Sequence, residues 1–380
     1  MKNVLIVATT SYAGMGPYVT EIINCFHAQD NVFYFFRDYE DDYFRHNIKS
    51  ELYENSIFCK LSNSKWNKIR ALFSKKYIFH NDIIELCKRR KISLVHFINN
   101  PGSELLVKAL EKKGVACIST VHDLHPHEAK KAWYKMLRWK IINKRLNENL
   151  HYCRNLITNS NEQYVELVKM FPNKSIYFHS FPSLVTKSIN TGQEIPNELF
   201  GNNMPYVLFF GRMEEYKGVK LLYNAFMQSQ ALCSKYKLVL AGKGDMSFMK
   251  VSNDKNIILI NRYIKDTEIK YLYEHARCVV YPYISATQSG VLSLAFYFGV
   301  PTLTSDVPFF KSVISEFNDE RMLFQKGNIV DLAEKLITIL KNDCTDMINK
   351  EKKYYNEHYD SLAIRKELLS IYDSIFHFQK

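Results

Sequence analysis

Tyr206-Val207-Leu208-Phe209-Phe210-Gly211-Arg212-Met213-Glu214-Glu215-Tyr216-Lys217-Gly218-Val219 joins the pattern of a strand to the start of a helix. A hydrophobic strand, Tyr206 to Phe210, runs into a glycine, then an arginine, then a lysine, then a second glycine that opens an amphipathic helix. Two fixed cations and a helix N-terminus therefore meet at the carboxyl end of a strand. Open α/β sheets bind ligands at that end, and the helix dipole there favours a phosphate. Arginine offers a planar fork and lysine a mobile point charge, a combination suited to a diphosphate. Taken alone, the segment also fits a surface turn with solvated charges.

The surrounding chain carries the same alternation from end to end, which implies an α/β protein of parallel sheets covered by helices. In the first half, strands are expected at Asn3–Ala8, Asn31–Phe36, Ser93–Phe97, Val115–Val121, Asn155–Thr158 and Ser175–Phe178. Helical periodicity lies between them at Pro17–Phe26, Asp82–Arg90, Ser103–Lys112, Lys130–Leu150 and Asn161–Met170. The polar, turn-rich run from Lys187 to Asn197 is the linker candidate. Strands then resume at Tyr206–Phe210, Lys237–Ala241, Ile257–Ile260, Cys278–Tyr281 and Thr302–Thr304, with Met322–Phe324 as a further candidate. The final segment, Ser361–Phe376, reads as an amphipathic helix with Leu362, Ile364, Leu368, Leu369, Tyr372 and Ile375 on one side. Two such halves leave a cleft between the carboxyl ends of their strands, the default binding site.

A chain of 380 residues suggests two domains. Its 47% hydrophobic and 24% charged residues describe a soluble globular protein. The formal net charge is +12, concentrated in the first half: residues 1–200 hold 28 Lys and Arg against 19 Asp and Glu, residues 201–380 hold 23 against 20. Eight scattered cysteines without a C-x-x-C pair fit buried free thiols in a reducing cytoplasm better than disulfides or a zinc site. Val4 to Ala8 is too short for a signal-peptide core. The uncharged run from Cys278 to Ser305 is broken by Pro282, Gln288, Gly290, Gly299 and Pro301, so it reads as strand, loop, helix and strand and not as a membrane span.

Three further segments carry chemistry. Gly14-Met15-Gly16-Pro17 follows the first strand and opens a helix, either as a ligand loop or as a simple tight turn. It lacks the third glycine of the dinucleotide fingerprint. Ser119-Thr120-Val121-His122-Asp123-Leu124-His125-Pro126-His127 ends another strand with three histidines. Their spacing on an irregular strand exit favours a cleft-facing His122 that hydrogen-bonds a polar substrate over a zinc cluster. Thr287-Gln288-Ser289-Gly290-Val291 opens an apolar helix, where backbone N–H groups can hold phosphate and where Ser289 or Thr287 can also serve as the cap.

Taken in order, Gly211-Arg212…Lys217-Gly218, Leu238-Val239-Leu240-Ala241-Gly242-Lys243-Gly244-Asp245 and Ser289-Gly290-Val291…Gly299-Val300-Pro301…Ser305-Asp306 resemble the retaining family-4 glycosyltransferases, glycosyl transferases group 1 of the GT-B fold. The resemblance extends to Gly14-Met15-Gly16, to Thr120-Val121-His122-Asp123 and to the closing helix, and so covers nearly the whole chain. It implies two Rossmann-like domains facing across a cleft. Residues 1–187, completed by a C-terminal helix (361–380) crossing back, would form the acceptor domain, and residues 188–360 the nucleotide-sugar domain. By resemblance, His122, Arg212 and Lys217 are the candidate catalytic residues. Gly14, Gly16, Gly211, Thr287, Gln288, Ser289, Gly290 and Val291 are the candidate donor- and phosphate-binding ones. No metal ligand and no cofactor are assigned, and the chain has no Asp-x-Asp.

One departure matters. The family places two glutamates eight residues apart around this helix, one at the donor sugar and one at the nucleotide ribose. Here Ala286 and Leu294 stand in their places, and Thr287 and Gln288 are the nearby groups able to supply replacement hydrogen bonds.

All three tryptophans fall in two lysine-rich segments, 60–77 and 130–145. Basic helices with interfacial aromatics suit an anionic membrane surface, and equally an ordinary packed helix with solvated lysines. No nucleic-acid motif accompanies the charge. The expectation is a bacterial, metal-independent glycosyltransferase in the cytoplasm, peripheral on the inner face of the plasma membrane. It would move a sugar from a nucleoside diphosphate sugar to a glycan or an undecaprenyl-diphosphate-linked acceptor during surface-polysaccharide synthesis. The alternatives are a non-catalytic GT-B nucleotide or glycan binder, motivated by the missing glutamates, and a nucleotide-sugar epimerase, for which no acidic constellation is found.

Overall fold

The computed structural model describes residues 2–11, 15–38, 42–60, 79–98, 103–122, 124, 150–252, 254–286 and 289–377. Gly14, Asp123, His125, His127, Thr287, Gln288, residues 61–77, and 130–145 with nearly all of the expected helix Lys130–Leu150 lie outside the described residues. The chain divides into two compact units, Met1–Pro182 with Ser361–Lys380, and Ser183–Asp360.

The first unit is built on seven parallel strands: β1 (Asn3–Ala8), β2 (Val32–Asp38), β3 (Ser56–Lys60), β4 (Ile92–Phe97), β5 (Ala116–Thr120), β6 (Asn155–Thr158) and β7 (Ser175–Phe178). They lie in the order β3-β2-β1-β4-β5-β6-β7. Val4, Leu5, Ile6 and Ala8 of β1 are wholly buried. A parallel strand covered on both faces reads as such a continuous apolar run and not as an alternating one. Helices such as Glu104–Glu111 supply the cover, turning Leu106, Val107 and Leu110 onto a core that includes Leu5, Val95 and Leu156. Ser103 caps that helix by accepting from the Leu106 N–H. Strand order reverses between β1 and β4, which opens a crevice at their carboxyl ends.

The last helix, Ser361–His377, belongs to this first unit. Ile364, Leu368, Tyr372, Ile375 and Phe376 bury its apolar side, whereas Leu362, expected on that side, is 59% exposed in the first turn. Three polar links orient the helix. Arg365 grips Asp30 with two nitrogens. Glu367 accepts from the Ser180 N–H at 2.8 Å and from its hydroxyl at 2.9 Å. The Tyr372 hydroxyl meets His96 Nδ1 at 2.7 Å. Burial alone would raise the Asp30 carboxyl, but the Arg365 guanidinium and the His27 N–H outweigh it and hold the acid below its usual range.

The second unit carries six parallel strands: β8 (Tyr206–Phe210), β9 (Lys237–Ala241), β10 (Ile257–Ile260), β11 (Ala276–Tyr281), β12 (Thr302–Ser305) and β13 (Leu323–Phe324). Their order is β10-β9-β8-β11-β12-β13, so the reversal falls between β8 and β11. The uncharged run resolves into β11, a loop, the helix Val291–Phe298 and β12. Among the described residues no helix is long and apolar enough to cross a membrane. The stretch expected as a linker is instead packed structure. Lys187–Thr191 is a helix capped by Thr186, Ile189 is buried, and a side chain on Gly192 would lie 2.5 Å from the Thr267 carbonyl oxygen. Its polar, glycine-containing composition marked a tight approach to a neighbouring helix.

Behind β12, Glu351 is fully buried. Its Oε1 accepts from the Thr302 N–H at 3.1 Å, and Oε2 has no hydrogen-bond partner among the described residues. Burial pushes this carboxyl well above the usual glutamate range. A raised acid stabilises the fold below its unfolded pKa of about 4.3, and that contribution drains away as pH rises toward the folded value. Glu351→Gln is therefore expected to raise Tm at pH 8 and to lose most of that advantage at pH 5. Differential scanning calorimetry at the two pH values checks this, and an equal shift at both would contradict it.

Candidate functional site

In the second unit, three close backbone approaches shape the exit of β8. Gly211 has φ 149° and its N–H donates to the Ala241 carbonyl at 3.0 Å. Met213 then pairs with Gly244 beyond the end of β9. A side chain on Gly242 would come within 1.9 Å of the Gly211 oxygen, and one on Gly244 within 2.0 Å of the Met213 oxygen. The two glycines after β9 are thus the condition for zipping the two strand exits together and fixing where Arg212 starts. Gly218 makes the third approach, with φ 68° and a hypothetical Cβ only 1.7 Å from the Pro282 oxygen. It forms the N-cap of the helix Val219–Gln228 and brings that helix start against the exit of β11.

Arg212 and Lys217 stand on this turn in different settings. Arg212 is 53% exposed in its side chain and donates to Glu214 at 3.0 Å and to the Tyr216 hydroxyl at 3.3 Å. Lys217 is half-buried, its ammonium 3.8 Å from the centre of the Tyr283 ring and 5.1 Å from that of Tyr216. Loss of hydration on burial, with the like charge of Arg212 adding to it, draws the Lys217 ammonium down to about 8. At neutral pH it is still a cation, and a poorly hydrated one.

Across the switch point, β11 continues into Pro282 and a fully buried Tyr283. The Ile284 N–H donates to the Tyr216 carbonyl at 2.8 Å, tying this exit to the Arg212–Lys217 turn. Ser289 does not cap the following helix. Gly290 holds the N-cap position without a side-chain bond, and Ser289 Oγ lies 3.2 Å from the Tyr283 hydroxyl instead. Among the described residues no side chain accepts from the first-turn N–H groups at the cap, an arrangement suited to an anion. Leu294, at the position where a glutamate was expected by resemblance, is 2% exposed and packed in the core; Ala286 is half-buried. Arg212, Lys217, Gly211, Ser289, Gly290 and Val291 thus gather at one switch point in this unit.

The first unit places its candidates at its own strand exits. Gly16 is buried where a Cβ would meet the Ser11 carbonyl at 2.7 Å and the Tyr43 ring at 2.8 Å, so its smallness serves packing of the turn. His122 Nε2 donates to the Ile98 carbonyl at 2.6 Å, and its ring stands edge-on to Tyr18 at 5.0 Å. Burial lowers its pKa, against the partial support of that hydrogen bond. A neutral ring that donates through Nε2 keeps Nδ1 as an acceptor. Gln163 fixes the exit by donating to the His122 carbonyl at 3.2 Å and accepting from the Leu124 N–H at 2.7 Å. Among the described residues no group of three acidic, histidine or cysteine side chains is placed to hold a metal.

Sequence reasoning did not single out Tyr283, Gln163, His96 or His179. His96 Nε2 lies 2.8 Å from the Thr120 hydroxyl, and His179 Nε2 3.3 Å from the Tyr18 hydroxyl; burial lowers the two to about 3 and about 4. No local motif surrounds these residues. Only the register that brings separate strand exits side by side reveals them.

Residues 12–177 match the model described as Glycosyltransferase Family 4, and residues 191–358 match that described as Glycosyl transferases group 1. No curated protein matches the chain. Among solved structures, sucrose-phosphate synthase from Thermosynechococcus elongatus aligns with TM-score 0.69 at 13% identity, over 99% of this chain and 100% of that one. Anabaena Alr3699/HepE, in complex with UDP and glucose, aligns with TM-score 0.66 at 11% identity, over 98% and 100%. WaaG, a glycosyltransferase involved in lipopolysaccharide biosynthesis, aligns with TM-score 0.61 at 14% identity, over 97% and 99%. At these identities the likeness establishes the fold, two Rossmann-like α/β domains of GT-B type.

Proposed function

We propose that this chain, a glycosyltransferase by the match of each of its two halves to a glycosyltransferase family model, uses a nucleoside diphosphate sugar as its donor and transfers the sugar to a glycan or lipid-diphosphate-linked acceptor. The observation that carries the donor assignment is the convergence of Arg212, Lys217 and the start of the helix Val291–Phe298 at the β8/β11 reversal. UDP and glucose in the Anabaena structure of the same fold support it.

The chemistry follows from charge. Cleaving the bond between sugar and diphosphate leaves positive charge on the sugar and negative charge on the departing phosphate. Arg212, Lys217 and the helix amides would meet the growing negative charge in an environment already organised for it, the kind of term that dominates such sites. Lys217 contributes most, because its poor hydration leaves it little water to lose. His122, neutral with Nδ1 as an acceptor, would orient a sugar hydroxyl. Catalysis on these lines needs no divalent cation, and transfer is expected to persist in EDTA. Retention of configuration, a role in bacterial surface-polysaccharide assembly, and a place on the inner face of the plasma membrane complete the proposal. The basic, tryptophan-containing segments 60–77 and 130–145 motivate its membrane part.

The buried Leu294 favours a second reading, a nucleotide or glycan binder without transferase activity. A thermal-shift panel of nucleoside mono- and diphosphates and nucleoside diphosphate sugars tests both. Saturation at about 100 times Kd corresponds to about 2.7 kcal/mol of added stability. The transferase reading expects diphosphates to raise Tm and monophosphates to do so much less, with one sugar nucleotide also consumed. A shift without turnover would favour the nucleotide binder, and no shift with any nucleotide would remove the transferase and the nucleotide binder, leaving only a glycan binder.

A further inference from the structure

We infer that Tyr283 is a positioning residue for the diphosphate end of the site, its ring seating the Lys217 ammonium and its hydroxyl holding Ser289. The inference rests on the donor site proposed above and names the part that spaces its two halves. The Lys217 nitrogen is 3.8 Å from the ring centre, and the hydroxyl is 3.2 Å from Ser289 Oγ. One side chain therefore touches the cation after β8 and the residue before the helix Val291–Phe298.

Tyr283 is built to hold still. It is wholly buried, its ring packs against Phe310 at 5.0 Å and Tyr281 at 6.1 Å, and its carbonyl accepts from Ser305 Oγ at 2.6 Å. The adjoining residues are pinned to the same turn, Pro282 beneath Gly218 and Ile284 to the Tyr216 carbonyl. A lysine on a flexible stem would otherwise sample many rotamers, and the aromatic face selects one of them. That face also offsets part of the hydration which the half-buried ammonium gives up. The hydroxyl does the corresponding work on Ser289, holding its Oγ to Tyr283 in place of the cap position.

Tyr283→Phe and Tyr283→Leu separate the two contacts. The titration of Lys217, followed by NMR of 13Cε-labelled lysine in the unliganded full chain, reads the seat directly. The wild-type midpoint is expected at about 8. Phenylalanine keeps the aromatic face and should leave the midpoint in place. Leucine keeps an apolar neighbour but removes the face that favours the charged form, and should lower the midpoint. Calorimetric titration with inorganic pyrophosphate at pH 7 then reads the consequence. Affinity should fall roughly threefold in Tyr283→Phe, through Ser289, and roughly tenfold or more in Tyr283→Leu. Identical Lys217 midpoints in all three proteins, with Tyr283→Phe folded as the wild type, would overturn the inference. A wild type that does not bind pyrophosphate would overturn the donor site, while the ligand-free midpoints still decide whether Tyr283 seats Lys217.

Discussion

Gly218→Ala is expected to destabilise the C-terminal domain by about 3 kcal/mol or more, the cost of strained backbone added to a clash that cannot relax cheaply. The residue sits at φ 68°, and the new methyl would fall 1.7 Å from the Pro282 carbonyl oxygen, an atom of the main chain. Relief requires either the helix Val219–Gln228 to lift or the exit of β11 to move, and both adjoin the residues proposed to bind phosphate. Gly201→Ala is the matched control. Its φ of 75° is similar, but nothing lies within 4 Å of the added atom, so only the left-handed backbone penalty of about 1 kcal/mol applies. Urea unfolding of the two variants compares them. Equal losses would show that the contact between Gly218 and Pro282 does not constrain the site.

The second large effect is on turnover. Lys217→Ala is expected to slow sugar transfer roughly 10²-fold or more, the scale for removing one preorganised group that stabilises developing charge. Arg212→Ala should cost less, about tenfold, because Arg212 is half in solvent and already shares its charge with Glu214. The pH profile separates the lysine from a merely structural part. With its ammonium at about 8, the wild type should lose activity as pH rises through that value. Lys217→Arg, which cannot deprotonate in this range, should hold whatever activity it has to higher pH. A Lys217→Ala variant with unchanged kcat/KM would show that the turn after β8 does not contact the leaving group.

The fold was legible because its signals are local. Tyr206–Phe210, Lys237–Ala241 and Ile257–Ile260 are apolar runs bounded by turn residues, and each forms the strand expected, with the same limits. Ser56–Lys60 escaped notice because an edge strand of four half-covered residues and one exposed lysine needs no continuous apolar run. The candidate site was legible at Arg212 and Lys217, where charge and glycine stand together in sequence. It was not legible at Tyr283, an aromatic that looks like any core residue until the β8/β11 pairing sets it beneath Lys217. Ser289 shows the same limit: the sequence pattern fits a cap, and only the path of the loop after β11 brings its hydroxyl back to Tyr283, the alternative partner it takes. The tight glycines of Lys187–Asn197 and of Gly242–Gly244 carry one lesson. Glycine marks a loop or a close backbone approach, and tertiary context decides which.

A structure of the chain with bound UDP would show where the diphosphate is held. Phosphate oxygens are expected within hydrogen-bonding distance of Lys217 Nζ and of the first-turn amides of the helix Val291–Phe298, with Arg212 turned from Glu214 toward the diphosphate. A diphosphate held elsewhere, with the Lys217–Tyr283–Ser289 arrangement unchanged and empty, would contradict it.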